Sequence, residues 1–329
     1  PVPAEDGADG ANEATSTPTS TSTRAAERRQ IEALAERLPA ITLRNPLTSE
    51  LESLRLTLMA SLLGVVRENS KHEDAGLWFF ELGRRYLPTA ELAAGTGLAD
   101  ERRTLAIALS GPLAHSWLGE RDADFFDLKG IVETLLNSLH VSSYRFVPAQ
   151  HPTFHPGRTA LLQVLAVADN AAPEDGTGAS RAVTEATWQT AAVLGEVHPE
   201  VAARFDLQKR TYLLEMDLER LFQAVPQHVL QQPIPRYPAA ERDLAVVVDQ
   251  SVPAAEVLAV IRESGGELLR DVRLFDVYTG EGIPPGKKSL AYALTYQSPE
   301  RTLTDTEVEQ AQQSVVKALA DRLGAALRS

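Results

Sequence analysis

Asp276 and Tyr278 lie two residues apart in the run LFDVY, and Ser289 opens the run SLAYALTY after the Gly/Pro-rich stretch TGEGIPPGKK. Two strand-like runs joined by such a turn, followed by a helix start, predict a β-hairpin within residues 274–305. Side chains alternate along a strand. Leu274, Asp276 and Tyr278 therefore share one face of the first run, and Phe275 and Val277 share the other. In the second run Leu290, Tyr292, Leu294 and Tyr296 oppose Ser289, Ala291, Ala293 and Thr295. If Phe275, Val277, Leu290, Tyr292 and Leu294 point into a core, the remaining face offers one aromatic plate, a carboxylate, a hydroxyl and open space. Stacking on a ring combined with hydrogen bonds to base edges is how sheet surfaces hold unpaired nucleotides. An ordinary solvated sheet face is the plainer reading of the same spacing.

Other candidate chemistry is sparse. The chain has seven histidines, and His151, His155 and His198 stand out beside prolines, yet none forms a metal-ligand pattern such as H-E-x-x-H. His155-Pro156-Gly157-Arg158 is the one stretch suited to an anion-binding turn, because Gly permits close backbone approach and Arg supplies a fork of donors. A single Gly is not a phosphate loop, and neither G-x-G-x-x-G nor G-x-x-x-x-G-K-[ST] occurs. Cysteine is absent, which removes disulfides, thiolate nucleophiles and Cys-ligated metal sites. No catalytic residue, metal site or ATP site is expected.

The elements that would position the hairpin follow from periodicity. Residues 241–249 (ERDLAVVVD) alternate as a strand, and Val257, Leu258 and Ile261 recur at helical spacing before the Gly265-Gly266 stop. Thr304 with Glu307 reads as a capping box, followed by the apolar stripe Val308, Ala311, Val315 and Leu319. Residues 325–328 return as a short edge strand. The order βαββαβ is the ferredoxin-like arrangement, with both helices on one sheet face and the Tyr278 face open.

Upstream, residues 1–23 are poor in large apolar side chains and predict a disordered linker. Residues 24–38 place Ile31, Leu34 and Leu38 on one side of a short helix. From Asn45 a long helix is expected, capped by Ser49 and Glu52, with Leu51, Leu54, Leu58, Leu62 and Val65 as its stripe; so broad an apolar surface suits either a subunit interface or a core. Strands are expected at 77–87, 103–109, 144–147, 159–167, 187–194 and 212–217, with a helix at 127–140 and a mobile loop at 171–180. This is an α+β domain on a largely antiparallel sheet.

At 329 residues the chain has room for two domains and a tail. Its net charge of −13 argues against broad capture of nucleic acid. Residues 230–329 alone hold 11 Lys and Arg against 14 Asp and Glu, a net of −3. Any RNA contact there is local and made mainly through bases. No apolar run approaches a membrane span, and no signal-peptide layout is visible, so a soluble intracellular protein is expected. The chain begins with Pro, which fits a fragment or a processed piece.

The segment PIPRYP…ERDLAVVVD…LFDVYTGEGIPPGKKSLAYALTYQ…RTLTDTEVEQ…LR resembles the C-terminal ferredoxin-fold anticodon-binding domain of the bacterial phenylalanine–tRNA ligase β subunit. NPLTSELESLR, FFELGRRY, FDLKGIVETLL, HPGRTA and LGEVHPEV resemble, in the same order, the synthetase-like core module of that family. The resemblance implies a class II synthetase-like antiparallel sheet domain at 41–229, a ferredoxin-like domain at 230–329, and a linker with a short helix at 1–40. It implies anticodon contacts at Asp276, Tyr278 and Ser289, with Arg236, Lys287 and Lys288 as secondary phosphate contacts, and His-Pro pairs that serve as turns. It further implies a noncatalytic chain in a cytoplasmic α₂β₂ heterotetramer. The α subunit would bind ATP and Mg²⁺ and attach phenylalanine to tRNAPhe; neither DNA nor membrane is an expected partner. Alternatives are a free-standing RNA-binding or assembly protein and a small-molecule regulatory ferredoxin-like module. The chain departs from the family in reading LTLMAS after Arg55 where Pro and Gly are usual, which favours an unbroken helix. The family's oligonucleotide-binding-fold and proofreading modules do not appear.

Overall fold

The computed structural model describes residues 40–48, 52–72, 75–113, 121–166, 187–229 and 234–328. The linker, the short helix at 24–38, the Ser49 cap and the loop at 171–180 lie outside them. A boundary between two compact units falls after Val229.

The first unit is built on a six-stranded sheet of β1 (Leu77–Leu87), β2 (Asp100–Ser110), β3 (Tyr144–Pro148), β4 (Phe154–Ala166), β5 (Thr187–Val197) and β6 (Thr211–Asp217). The strands run in the order β1-β2-β6-β5-β4-β3, and every neighbouring pair is antiparallel. Each face has its own helix. Helix α1 (Met59–Asn69) lays Leu58, Met59, Leu62, Leu63 and Val66 against Ala106, Ala108 and Leu213. Helix α2 (Phe125–Ser138) buries Leu128, Val132 and Leu136 against Leu105, Ile107, Leu109, Leu194 and Leu214 on the other face. Its start is fixed reciprocally: Asp124 accepts the Phe126 and Asp127 amides while Asp127 accepts the Asp124 amide, a closed capping box.

Helix α1 begins at Met59, later than its apolar pattern suggests. Before it, Leu43 and Leu54 donate backbone hydrogen bonds to Glu52 and Ile41, and Thr42 bridges Ser53 in antiparallel fashion. Those paired residues cannot also wind into a helix. The buried stripe accordingly moves to Leu58, Met59, Leu62, Leu63 and Val66, and Val65 is exposed. Through Ala60 and Ser61 the helix is unbroken.

In the second unit β7 (Ala240–Asp249), α3 (Ala254–Ser264), β8 (Leu269–Tyr278), β9 (Lys287–Tyr296), α4 (Asp305–Leu323) and β10 (Ala326–Leu327) follow one another. The sheet order β10-β7-β9-β8 completes the ferredoxin-like arrangement. Val257, Val260 and Ile261 of α3 and Val308, Val315 and Leu319 of α4 pack on Leu244, Val246, Val248, Val272, Leu290, Tyr292 and Leu294. Both helices therefore cover one face. Tyr292 is fully buried, donates its hydroxyl to Ala254 O at 3.1 Å, and has its phenol pKa pushed upward by burial. The Thr304–Glu307 capping box is formed, with Glu307 accepting the Thr304 amide at 2.9 Å. Gly324 ends α4 at φ 59° and turns the chain into β10.

Candidate nucleic-acid interface

The face of the second sheet away from α3 and α4 is set by register. Antiparallel partners point to the same side, so Ala326, Val247, Ser289 and Tyr278 form one row across all four strands. In the next row Ala245 and Ala291 stand beside Asp276, and the Arg328 amide donates to Ala245 O at 3.0 Å. Asp276, Tyr278 and Ser289 thus share the helix-free face. They are not equally accessible: Asp276 is exposed and Tyr278 half-buried, whereas Ser289 is only 2% exposed. A hydroxyl expected on an open surface is covered.

Arg328 reaches over this face, its guanidinium carbon 5.0 Å from the centroid of the Tyr278 ring. To reach a ring on the far edge strand from its place beside Ala245, its side chain runs across β7 and β9 toward the row of Ser289 and Tyr278. Tyr278 is fixed from the other end. Its hydroxyl donates to Glu281 O at 3.3 Å, and Gly280 packs so close that a Cβ there would stand 2.5 Å from the Tyr278 oxygen.

Near its turn the hairpin departs from strict alternation at the second of two register shifts in β8. Leu274 pairs with Tyr292 but Asp276 pairs with Ala291, so Phe275 is an extra, bulged residue. Leu274 packs with the core although alternation grouped it with Asp276 and Tyr278. Phe275 and Val277, expected inside, are 52% and 55% exposed. The bulge unpairs Phe275, and Val277 lies on an edge strand near the hairpin end, outside the packed cluster.

The three secondary candidates do not converge. Lys287 pairs with Asp249 on the Ser289 side, while Lys288 pairs with Val248 on the opposite side and donates to Gln250 O at 3.1 Å. Asp249 itself is held below the usual carboxylate range by hydrogen bonds from the Ser251 amide and hydroxyl, with both lysines adding to the effect. Arg236 precedes the Ala240 end of β7, whereas the Tyr278 row crosses that strand at Val247; seven strand residues correspond to about 23 Å. Arg328 is the residue that motif reading missed. Its signal is its placement two residues beyond Ala326, on the same face of an edge strand.

In the first unit the histidines act locally. His151 Nδ1 accepts the Thr153 amide at 3.2 Å, His198 Nδ1 accepts the Glu200 amide at 3.2 Å at the head of a short helical turn, and His155 Nδ1 lies 2.6 Å from Pro156 O. Burial lowers the His151 pKa to about 4. Arg158 pairs with Glu196 at 2.6 Å, so its fork is already engaged. The buried carboxylates Glu215 and Asp217 both meet Arg85, and Glu215 also holds the start of α1.

A helix-free ferredoxin-like sheet face carrying a ring, a carboxylate and a hydroxyl agrees with a family match. Residues 235–328 match the ferredoxin-fold anticodon binding domain, which sets the class of this unit. Residues 8–218 match the family described as phenylalanyl tRNA synthetase beta chain CLM domain, and the chain belongs to the phenylalanyl-tRNA synthetase β-chain family. That match begins within the stretch assigned from sequence to a linker and short helix. The chain is 40% identical over 291 residues to the phenylalanine–tRNA ligase β subunit of Symbiobacterium thermophilum, covering 88% of this chain and 30% of that one. With the β subunit of Moorella thermoacetica it shares 40% identity over 295 residues, covering 88% and 33%. With that of Clostridium tetani it shares 35% over 290 residues, covering 88% and 32%. The chain spans about a third of the length of the curated relatives it matches. Among the described residues no helix is long and apolar enough to cross a membrane.

Proposed function

We propose that this chain is a noncatalytic β-subunit portion of a phenylalanine–tRNA ligase, which supports a catalytic α subunit and reads the anticodon of tRNAPhe. The observation that carries the reading is the juxtaposition of Asp276, Tyr278 and Ser289 on the helix-free face of the anticodon-binding-domain sheet. Tyr278 stacks on an anticodon base, and Asp276 and Ser289 bond to base edges. Lys287, on the same side, is the better placed of the two lysines for a flanking phosphate.

ATP and Mg²⁺ belong to the α subunit in this reading. Glu215 and Asp217 serve the fold of the first unit, their oxygens taken by Thr57, the Leu58 amide and Arg85. The docking face for α is the outer strand β1. Trp78, Phe80 and Leu82 alternate there at 47%, 71% and 64% exposure and pair with Leu109, Ile107 and Leu105. They continue the core face beyond the cover of α2. An α₂β₂ assembly in the cytoplasm is the form proposed.

The test is aminoacylation of tRNAPhe by this chain alone and mixed with an α subunit from the same source, with native protein and with Tyr278→Ala. Activity only in the mixture, with tRNA affinity reduced about 5- to 150-fold in the variant, is expected from the loss of one base stack worth about 1–3 kcal/mol. Unchanged affinity in the assembled complex refutes the anticodon assignment, and activity of the isolated chain refutes the noncatalytic one.

A further inference from the structure

We propose that Arg328 is a lid over the base-reading face, occupying the Tyr278 ring and sealing Ser289 until RNA displaces it. The inference rests on the anticodon reading above and adds to it a closed free state. Three observations carry it. The guanidinium stands 5.0 Å from the ring centroid, where a stacked base would lie. Ser289, in the row between Val247 and Tyr278, is 2% exposed although no helix among the described residues covers that face. The ring is tethered at its hydroxyl end, which donates to Glu281 O and lies against Gly280.

The moving part is therefore Arg328. Its backbone amide is held by Ala245 O just past the two-residue strand β10, so it is the long, exposed side chain that swings. An exposed cation–π contact is weaker than the stacking of a base on an aromatic ring, so exchange of one for the other runs toward bound RNA. Once displaced, the guanidinium presents its fork of donors beside a strand of phosphates. An acidic domain thereby covers its ring with its own cation when empty and turns that cation to the ligand when occupied.

The chain has no cysteine, so Ser289→Cys in the full-length chain introduces a single thiol at the sealed position. Its reaction with an aromatic disulfide reagent is slow if the lid is closed. Adding Arg328→Ala is expected to raise the rate at least about tenfold, with Arg328→Lys in between, while far-ultraviolet circular dichroism stays unchanged. Equal rates with and without Arg328 overturn the lid. The unmodified anticodon stem-loop of tRNAPhe is then added to the double variant, where it is expected to protect the thiol. Acceleration by Arg328→Ala without protection by this RNA leaves the lid standing and removes the anticodon reading. In a chain with native Ser289, stopped-flow association of the same stem-loop should be about two- to fivefold faster for Arg328→Ala, the weight of one exposed cation–π contact. A slower or unchanged association overturns the lid even if the cysteine variant fails to fold.

Discussion

Glu215 Oε1 accepts the Leu58 amide at 2.8 Å across 157 residues of sequence, and takes the Thr57 hydroxyl at 2.6 Å as well. Leu58 at the N-cap position has no side-chain oxygen, so the helix start is held by Thr57 Oγ1, which accepts the Met59 amide at 3.1 Å, and by Glu215 from the central sheet. The other carboxylate oxygen lies 3.5 Å from Arg85, which also meets Asp217 at 3.1 Å.

Glu215→Ala should therefore destabilise the first unit by about 3 kcal/mol or more, the usual cost of removing one partner from a buried ion pair. Glu215→Gln keeps the cap acceptor and should cost about 1 kcal/mol. All three tryptophans precede Val229, so tryptophan fluorescence during urea unfolding reports on this unit alone. Equal losses in the two variants would show that the charge, and not the cap, is what matters.

Phe275→Ala should cost less than about 1 kcal/mol, not the roughly 3–5 kcal/mol of a buried phenylalanine. The side chain is 52% exposed at the bulge. Near-ultraviolet circular dichroism of the tyrosines during denaturation of the second unit checks this, and a loss of several kcal/mol would place the ring inside.

His151 gives the first unit a dependence on pH. Burial holds its folded pKa at about 4, below the ordinary 6.5. Between those values the unfolded chain takes up a proton that the folded one refuses. Its contribution to stability is thus fully present above pH 6.5 and is lost as the pH falls toward 4. Urea midpoints followed by tryptophan fluorescence should decline across that window in the native chain and decline less in His151→Gln. Identical slopes would contradict a buried neutral imidazole.

Phe80→Asp should leave the fold intact, because the ring is 71% exposed, and should weaken association with the α subunit about tenfold or more, as loss of an aromatic anchor does. Titration calorimetry with purified α measures it. Unaltered affinity would move the docking face away from β1.

The second unit was legible because its signals are local. Alternation marked β7 and β9, the Gly265-Gly266 stop ended α3, and Thr304 with Glu307 opened α4. Asp276, Tyr278 and Ser289 emerged on the helix-free side for the same reason. What escaped depends on partners distant in sequence. The start of α1 is set by Glu215 and by the bridge at Thr42 and Ser53. Arg328 meets Tyr278 only after strand order places the two on opposite edges of one sheet. Val277 faces the side of Leu290 yet stays exposed outside the packed cluster, which no periodicity encodes.

The supernumerary residue at Phe275 works as a phase shift in the hairpin. Because Leu274 opposes Tyr292 and Asp276 opposes Ala291, excising Phe275 would give a continuous ladder from Asp271 to Tyr278 with Asp276 and Tyr278 still facing outward. Straightening the strand with every residue retained would instead rotate both beneath the helices and bring Phe275 and Val277 out in their place. The side on which Asp276 and Tyr278 emerge thus hangs on whether one position is looped out of the ladder or drawn into it.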